Sequence, residues 1–247
     1  MSYAVGVVGA TGQVGREFLR ILEEGDRPGL PIRGLRLFAS ERSAGKRVTV
    51  RGQEHVIERA EPDPRLFEGL DFVLSAIGDE AAKQYGPAIA RAGALNVDKS
   101  NAWRMAPGVP LVVPEVNPQD ARAHKGIIAG PNCSTTQMVV ALWPIHQVNP
   151  LQRIVVDTYQ AVSGTGWRAV DELQAQISGE QQEARIYPHQ IHLNLWRHVL
   201  ELLHERRHQR QLGDIGRTDM KTALRGTGIE IGVVVECRLD QPFCFLQ

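Results

Sequence analysis

The stretch from Tyr3 to Leu22 constrains this chain most. Tyr3-Ala4-Val5-Gly6-Val7-Val8 is a short, valine-rich apolar run, the pattern of a strand buried on both faces of a parallel sheet. Gly9-Ala10-Thr11-Gly12-Gln13-Val14-Gly15 follows directly, and Phe18, Leu19, Ile21 and Leu22 then recur at helical spacing. Strand, glycine turn and helix together are the context in which a dinucleotide fingerprint works. Glycines let the backbone approach a pyrophosphate, and the helix N-terminus attracts it. The spacing is G-x-x-G-x-x-G rather than G-x-G-x-x-G, and purely structural turns also use glycine. Position at the head of a βα unit is what favours a nucleotide site.

Leu35-Arg36-Leu37-Phe38-Ala39 reads as the second strand. NAD enzymes usually carry Asp or Glu at the end of this strand for the ribose 2′-hydroxyl. Here the run is Ser40-Glu41-Arg42-Ser43-Ala44-Gly45-Lys46. Arg42 beside Ser43 would suit a 2′-phosphate, because guanidinium makes charge-assisted, bidentate bonds to phosphate. NADP is therefore expected over NAD, with Glu41 arguing the other way; the bland alternative is an exposed polar loop. Residues 48–50 and 55–57 read as a hairpin, 71–76 as a buried strand, 80–92 as a helix and 94–97 as a strand. This alternation predicts an α/β fold, a Rossmann-like, doubly wound parallel sheet whose ligands sit at the strands' C-terminal ends.

Further on, Gly130-Pro131 breaks the chain before Asn132-Cys133-Ser134-Thr135-Thr136 and the apolar run Met138 to Trp143, which reads as a buried helix. Cys133 would stand at that helix's N-terminus, where the dipole favours a thiolate. The alternative is a small cysteine buried as a hydrophobe. Lys99-Ser100-Asn101-Ala102-Trp103-Arg104-Met105 interrupts the alternation. Arg104 there is either a charge snorkelling over apolar neighbours or an anion clamp near the strand ends. Residues 154–159 read as a β-branched strand followed by a second glycine turn, Gln160-Ala161-Val162-Ser163-Gly164-Thr165-Gly166, and 169–177 as a helix.

Composition narrows the partners. Lys+Arg and Asp+Glu balance at 28 each, so nothing argues for a nucleic acid. Cys133, Cys237 and Cys244 make no C-x-x-C pair, and no metal is expected. His204 and His208 would share a helix face, but no carboxylate or cysteine completes a ligand set. No apolar stretch is long enough to span a membrane, and the N-terminus lacks a charged leader region, so a reducing cytoplasm is the expected home. On that ground Asn132-Cys133-Ser134 is set aside as a glycosylation site.

In register, six segments resemble aspartate-semialdehyde dehydrogenases: the glycine turn from Gly9 to Gly15, Ser40 to Gly45, Ser100 to Met105, Val113-Pro114-Glu115-Val116-Asn117, Gly130 to Thr135, and Thr158 to Gly164. N-acetyl-glutamyl-phosphate reductases share the glycine turn and the cysteine, but Trp103-Arg104-Met105 and Asn132-Cys133-Ser134-Thr135 look like the aspartate enzyme. The resemblance implies an NADP-binding domain over residues 1–129 and a catalytic and dimerisation domain of α+β type over 130–247. It implies that Cys133 is the acyl-thioester nucleophile, that Gln160 orients the substrate and that Arg104 binds phosphate. Gly9, Thr11, Gly12, Gln13, Val14, Arg42, Ser43, Ser163 and Gly164 would contact NADP. It further implies aspartate semialdehyde, aspartyl phosphate and phosphate as ligands, and a homodimer or tetramer.

The motifs stop near Leu195, and the family's Gly-His-Ser-Glu acid–base motif is absent from this sequence. The part after residue 195 is therefore expected to be incomplete and atypical, through truncation, frameshift or replacement. A basic helix is expected over residues 196–212, a strand over 229–239 and a short apolar end over 241–247. Met220-Lys221 is the one place where the family's phosphate lysine could fall. A catalytically impaired NADP-binding remnant is the alternative function.

Overall fold

The computed structural model describes residues 2–24, 31–180, 183–192, 218–223 and 229–236. Strands β1 (Tyr3–Val8), β2 (Ile32–Ala39), β3 (Arg47–Val50), β4 (Gln53–Arg59), β5 (Phe72–Ser75), β6 (Leu95–Asp98) and β7 (Ile127–Ala129) form one sheet in the order β3-β4-β2-β1-β5-β6-β7. Every ladder is parallel except the β3–β4 hairpin. Its turn residues Arg51 and Gly52 both have positive φ, 53° and 71°, as a tight two-residue hairpin of matching twist requires.

Strand periodicity sends alternate residues to opposite faces, and each face has its helix. Val7, Leu37 and Ala39 pack with Leu19 of α1 (Gln13–Glu24). Val8, Phe38 and Val73 pack with Ala88 and Ile89 of α2 (Asp79–Arg91), around Phe67. Phe38 and Phe67 are fully buried with ring centroids 5.2 Å apart, a tilted pair that adds to the area they hide. The sheet is thus doubly wound. Its strand order reverses between β1 and β5, the place where such sheets open a ligand crevice. β2 starts before its apolar run because the ladder with β1 extends to Ile32, opposite Tyr3; Arg33 there reaches Asp71 at 2.9 Å.

Contacts divide the chain into a unit ending at Trp143 and one beginning at Pro144. The second unit holds an antiparallel sheet, β8 (Arg153–Gln160), β10 (Ile229–Glu236) and β9 (Thr218–Ala223) in the order β8-β10-β9, together with α4 (Trp167–Ser178). β10 forms within the stretch where a strand is expected. β9 is not announced by its sequence, Thr-Asp-Met-Lys-Thr-Ala, which lacks a β-branched apolar run; it exists by pairing with β10. The basic helix expected over 196–212, and Cys237 and Cys244, lie outside the described residues.

One expectation needs correcting. Helix α3 (Cys133–Val148) forms, but Met138 to Trp143 is not a buried segment: among its described residues only Leu142 is fully buried. Met138 to Trp143 are half-buried all round the helix, and Leu142 alone of them is fully covered. No helix among the described residues is long and apolar enough to cross a membrane.

Candidate active site

The turn after β1 is shaped by what a side chain would strike. Gly9 has φ 84°, and a Cβ there would stand 2.3 Å from the Ala76 carbonyl oxygen. A Cβ on Gly15 would stand 2.1 Å from the Gly9 carbonyl oxygen, so α1 can close on the turn only with glycine there. Gly12 differs: its Cβ would meet only that same oxygen, at 3.2 Å, and nothing else. Gly12, Gln13 and Val14 are exposed, with Thr11 half-buried beside them. The start of α1 therefore presents bare backbone, and its first amides have no helical acceptor. This cradle fits a dinucleotide pyrophosphate.

Ser40 to Gly45 lies alongside. A single helical turn, Glu41–Ser43, buries Ser43 and leaves Arg42 exposed. The Thr11 hydroxyl donates to the Ser43 hydroxyl at 3.3 Å, tying this segment to the glycine turn. Glu41, the residue that argued against a 2′-phosphate, accepts from Arg59 at 3.4 Å and so has a cation of its own.

Beyond the strand ends, the first residue after each strand continues the ladder. Gly9 N–H donates to Phe38 O at 2.9 Å, Ala76 to Val8 at 2.9 Å, Lys99 to Ser75 at 3.0 Å and Gly130 to Asp98 at 2.8 Å. Gly9, Ala76, Lys99 and Gly130 thus form a row along the C-terminal edge of β1, β5, β6 and β7. The glycine turn opens at one end of this row, and Gly130-Pro131-Asn132-Cys133 opens at the other.

Cys133 is exposed and is the first residue of α3, which sets aside the buried-hydrophobe alternative. Asn132 caps the helix. Its Oδ1 accepts from Ser134 N–H at 3.0 Å and from the Ser134 hydroxyl at 2.6 Å, and the Cys133 thiol lies 3.7 Å from it. The Arg104 guanidinium donates through Nε to Gly130 O at 3.1 Å and through Nη2 to Lys99 O at 3.0 Å, leaving its other N–H groups for an anion. The snorkelling alternative is set aside. Trp103 instead donates to Ala82 O at 3.3 Å and packs on Gly86, where a Cβ would fall 2.9 Å from its ring, while Met105 is 90% exposed.

Two groups here escaped the sequence. Asp98 is fully buried at the end of β6 and accepts from both the N–H and the hydroxyl of Ser100. Burial raises its pKa above the ordinary carboxylate value, while the Ser100 bonds and the Asn96 amide pull the other way. Lys99 runs across Gly130: a Cβ on that glycine would stand 2.7 Å from Nζ. Burial lowers the Lys99 pKa and the neighbouring Arg104 adds to this, whereas Cys133 and Asp98 act to raise it. Asn132 and Lys99 were each visible as residue types, but neither's neighbours could be read from spacing.

In the second unit, Gln160 ends β8 and Ser163 and Gly164 lie in the short helical turn Val162–Thr165 that follows. Gln160 Nε2 donates to the Thr158 hydroxyl at 3.1 Å, and its Oε1 lies 4.0 Å from where a Cβ of Gly164 would be. The three expected residues of this unit are therefore neighbours. The hydroxyls of Thr165 and Tyr187 are hydrogen-bonded, joining the turn to the segment after α4.

Comparisons with known proteins agree on a family. Residues 4–124 match the family model described as semialdehyde dehydrogenase, NAD binding domain, and residues 142–234 that described as semialdehyde dehydrogenase, dimerisation domain. The second match continues past the last quoted motif. The chain is 47% identical over 206 residues to aspartate-semialdehyde dehydrogenase of Aquifex aeolicus, covering 81% of this chain and 59% of the relative. It is 45% identical over 188 residues to that of Bacillus subtilis, covering 74% and 53%. The chain thus spans less than two thirds of these relatives' length. Among solved structures, aspartate semialdehyde dehydrogenase II from Vibrio cholerae, complexed with ASA, superposes with TM-score 0.69 at 36% identity over 77% of this chain and 57% of that one. The Candida albicans enzyme with NADP superposes with TM-score 0.55 at 28% identity, over 66% and 52%.

Proposed function

Because this chain belongs to the semialdehyde dehydrogenase family, we propose that it serves the NADP-dependent, phosphorylating interconversion of aspartate semialdehyde and aspartyl phosphate. The biosynthetic direction is reductive dephosphorylation, on the way to lysine, threonine and methionine. The observation that carries this is Cys133, exposed at the first residue of α3, with two cations, Lys99 and Arg104, anchored to the same turn. Similarity to dehydrogenases supports the enzyme reading, and nothing favours the impaired remnant over it.

The Cys133 thiolate attacks the aldehyde carbon, forming a carbon–sulfur bond while the carbonyl oxygen takes the electron pair and a proton. The glycine turn would hold the nicotinamide cofactor, which would supply a hydride acceptor; the thiohemiacetal becomes a thioester by giving up that hydride and returning its hydroxyl proton to solvent. A phosphate oxygen then attacks the thioester carbonyl, and the thiolate leaves, returning Cys133 to its starting state. Sulfur suits both halves, being a good nucleophile and a good leaving group. Arg104 is the phosphate ligand in this scheme, its guanidinium held in place by two backbone carbonyls. Gln160 orients the substrate. Gly9, Gly12, Gln13 and Val14 hold the pyrophosphate at the start of α1. Thr11, Arg42 and Ser43 read the 2′-phosphate, and the family resemblance gives Ser163 and Gly164 as further cofactor contacts.

A homodimer or tetramer fits the second unit, whose β8 exposes Ile154, Val155 and Val156. A reducing cytoplasm suits a free, reactive thiol. The test combines the purified chain, aspartate semialdehyde, phosphate and NADP⁺. Reduced nicotinamide should appear, and Cys133→Ala should abolish it together with the acyl adduct seen by mass spectrometry. Reduced nicotinamide formed equally well without Cys133 would overturn the scheme, and so would none formed at all.

A further inference from the structure

Along the C-terminal edge of the sheet, the row Gly9, Ala76, Lys99 and Gly130 contains three residues with no more than a methyl group and one long cation. Lys99 stands between the cofactor cradle and the cysteine turn. Its side chain lies across the α-carbon of Gly130: a Cβ built there would stand 2.7 Å from Nζ, 3.4 Å from Cε and 3.1 Å from Cδ. Gly130 therefore provides the space that Lys99 fills. The backbone of Lys99 is pinned too, its N–H to Ser75 O and its carbonyl to Arg104 Nη2 at 3.0 Å.

No carboxylate among the described residues forms an ion pair with this ammonium at bonding distance. Asp98, next to it in sequence, spends Oδ1 on Ser100, and its buried Oδ2 makes no hydrogen bond to Lys99 or to any other described group. Asp79, at the start of α2, accepts from the Asn101 N–H at 2.8 Å. Arg104 opposes the Lys99 charge, and Cys133 and Asp98 favour it. The first turn of α3 contributes no acidic side chain. Lys99 is thus a half-buried cation beside a second cation, with no carboxylate hydrogen-bonded to it among the described residues.

We propose that Lys99 is the positioning cation of the Cys133 thiolate, its ammonium seated on Gly130 so that the sulfur's negative charge forms against it. The assignment rests on Cys133 being the nucleophile, as proposed above. It adds a second source of thiolate stabilisation to the helix N-terminus, and it gives Gly130 a reason to be glycine that is independent of turn geometry.

The test measures alkylation of Cys133 by iodoacetamide as a function of pH, with peptide mapping, in the intact chain. The readout needs no turnover, so it stands even if the chain proves not to act on aspartate semialdehyde. In Lys99→Met the pH midpoint should rise by about one unit, with alkylation at neutral pH slowed about tenfold. Lys99→Arg should recover most of the loss, because it restores the charge. Gly130→Ala, which pushes the lysine off its seat while keeping it, should move the midpoint the same way. If Lys99→Met fails to fold, Lys99→Gln carries the same expectation with a polar, neutral side chain. An unchanged midpoint in Lys99→Met or Lys99→Gln overturns the assignment. A raised midpoint that Lys99→Arg does not lower again also overturns it, since packing rather than charge would then be responsible.

Discussion

The Thr11 hydroxyl donates to the Ser43 hydroxyl across 3.3 Å, fastening the turn after β1 to the segment after β2. Arg42, next to Ser43, is exposed. If this pair reads a 2′-phosphate, Arg42→Ala should weaken NADP by about tenfold to a hundredfold, the worth of a charge-assisted bond, and leave NAD affinity unchanged. Calorimetric titration of both cofactors decides it; equal loss for NADP and NAD would assign Arg42 a structural role instead.

The three glycines of the first turn should separate into two classes. Gly15→Ala places a Cβ 2.1 Å from the Gly9 carbonyl oxygen, a backbone group that cannot swing away. We predict a cost of about 2–3 kcal/mol, a fall of roughly 5–10 °C in the melting temperature of the first unit, and lost cofactor binding. Gly12→Ala meets only one atom, at 3.2 Å. Its stability should stay within about 1 kcal/mol of the parent while NADP affinity drops, because the new methyl group occupies the approach to the helix N-terminus. Thermal unfolding and cofactor titration on both variants give the comparison.

These glycines show what a sequence of this kind makes legible. Runs such as Tyr3 to Val8 and turns such as Gly9 to Gly15 encode their conformation locally, so the βα units and the cysteine at a helix start follow from pattern alone. Pairings set by distant residues do not. Lys99 reads as one more loop charge until Gly130, brought beside it by parallel ladders, shows where its chain lies. Likewise β9 has no strand signature of its own and depends on β10. The burial of α3 was misjudged for a related reason: an apolar run says that a helix can be covered, not that it is.

Asp98 gives a pH test of the buried edge. Burial raises its folded pKa above the unfolded value, so the native chain binds more protons than the unfolded chain between the two. Stability must therefore fall as pH rises through that interval, beginning at about pH 4. Asp98→Asn keeps an oxygen for the Ser100 N–H and hydroxyl but cannot ionise. Its urea midpoint should depend less on pH above about 4 than the parent's does. A parent and variant with parallel profiles would show that Asp98 is not the group responsible.

Glu172 of α4 is buried and organises the segment that follows the helix. Its Oε2 accepts the N–H groups of Arg185 at 3.1 Å and Ile186 at 2.7 Å, and its Oε1 accepts from Gln176 at 3.2 Å. Gln176, one helical turn on and also buried, uses its own oxygen on the Ile191 N–H at 2.7 Å. Two side chains four residues apart thus replace, for residues 185–191, the ladder a strand would have supplied. Glu172→Ala removes the one oxygen that Arg185 and Ile186 share. Arg185 and Ile186 are exposed, so water can reach the freed amides and the loss should stay near that of ordinary hydrogen bonds, about 1–2 kcal/mol in all. Glu172→Gln keeps one oxygen for the two backbone N–H groups but turns an amide toward Gln176, and should lose about 1 kcal/mol. Hydrogen exchange resolves the local part: protection should vanish at Arg185 and Ile186 in the alanine variant, persist in the glutamine variant, and stay intact in the β8–β10 ladder of both. Protection at Arg185 and Ile186 that survives Glu172→Ala would mean that other acceptors hold this segment.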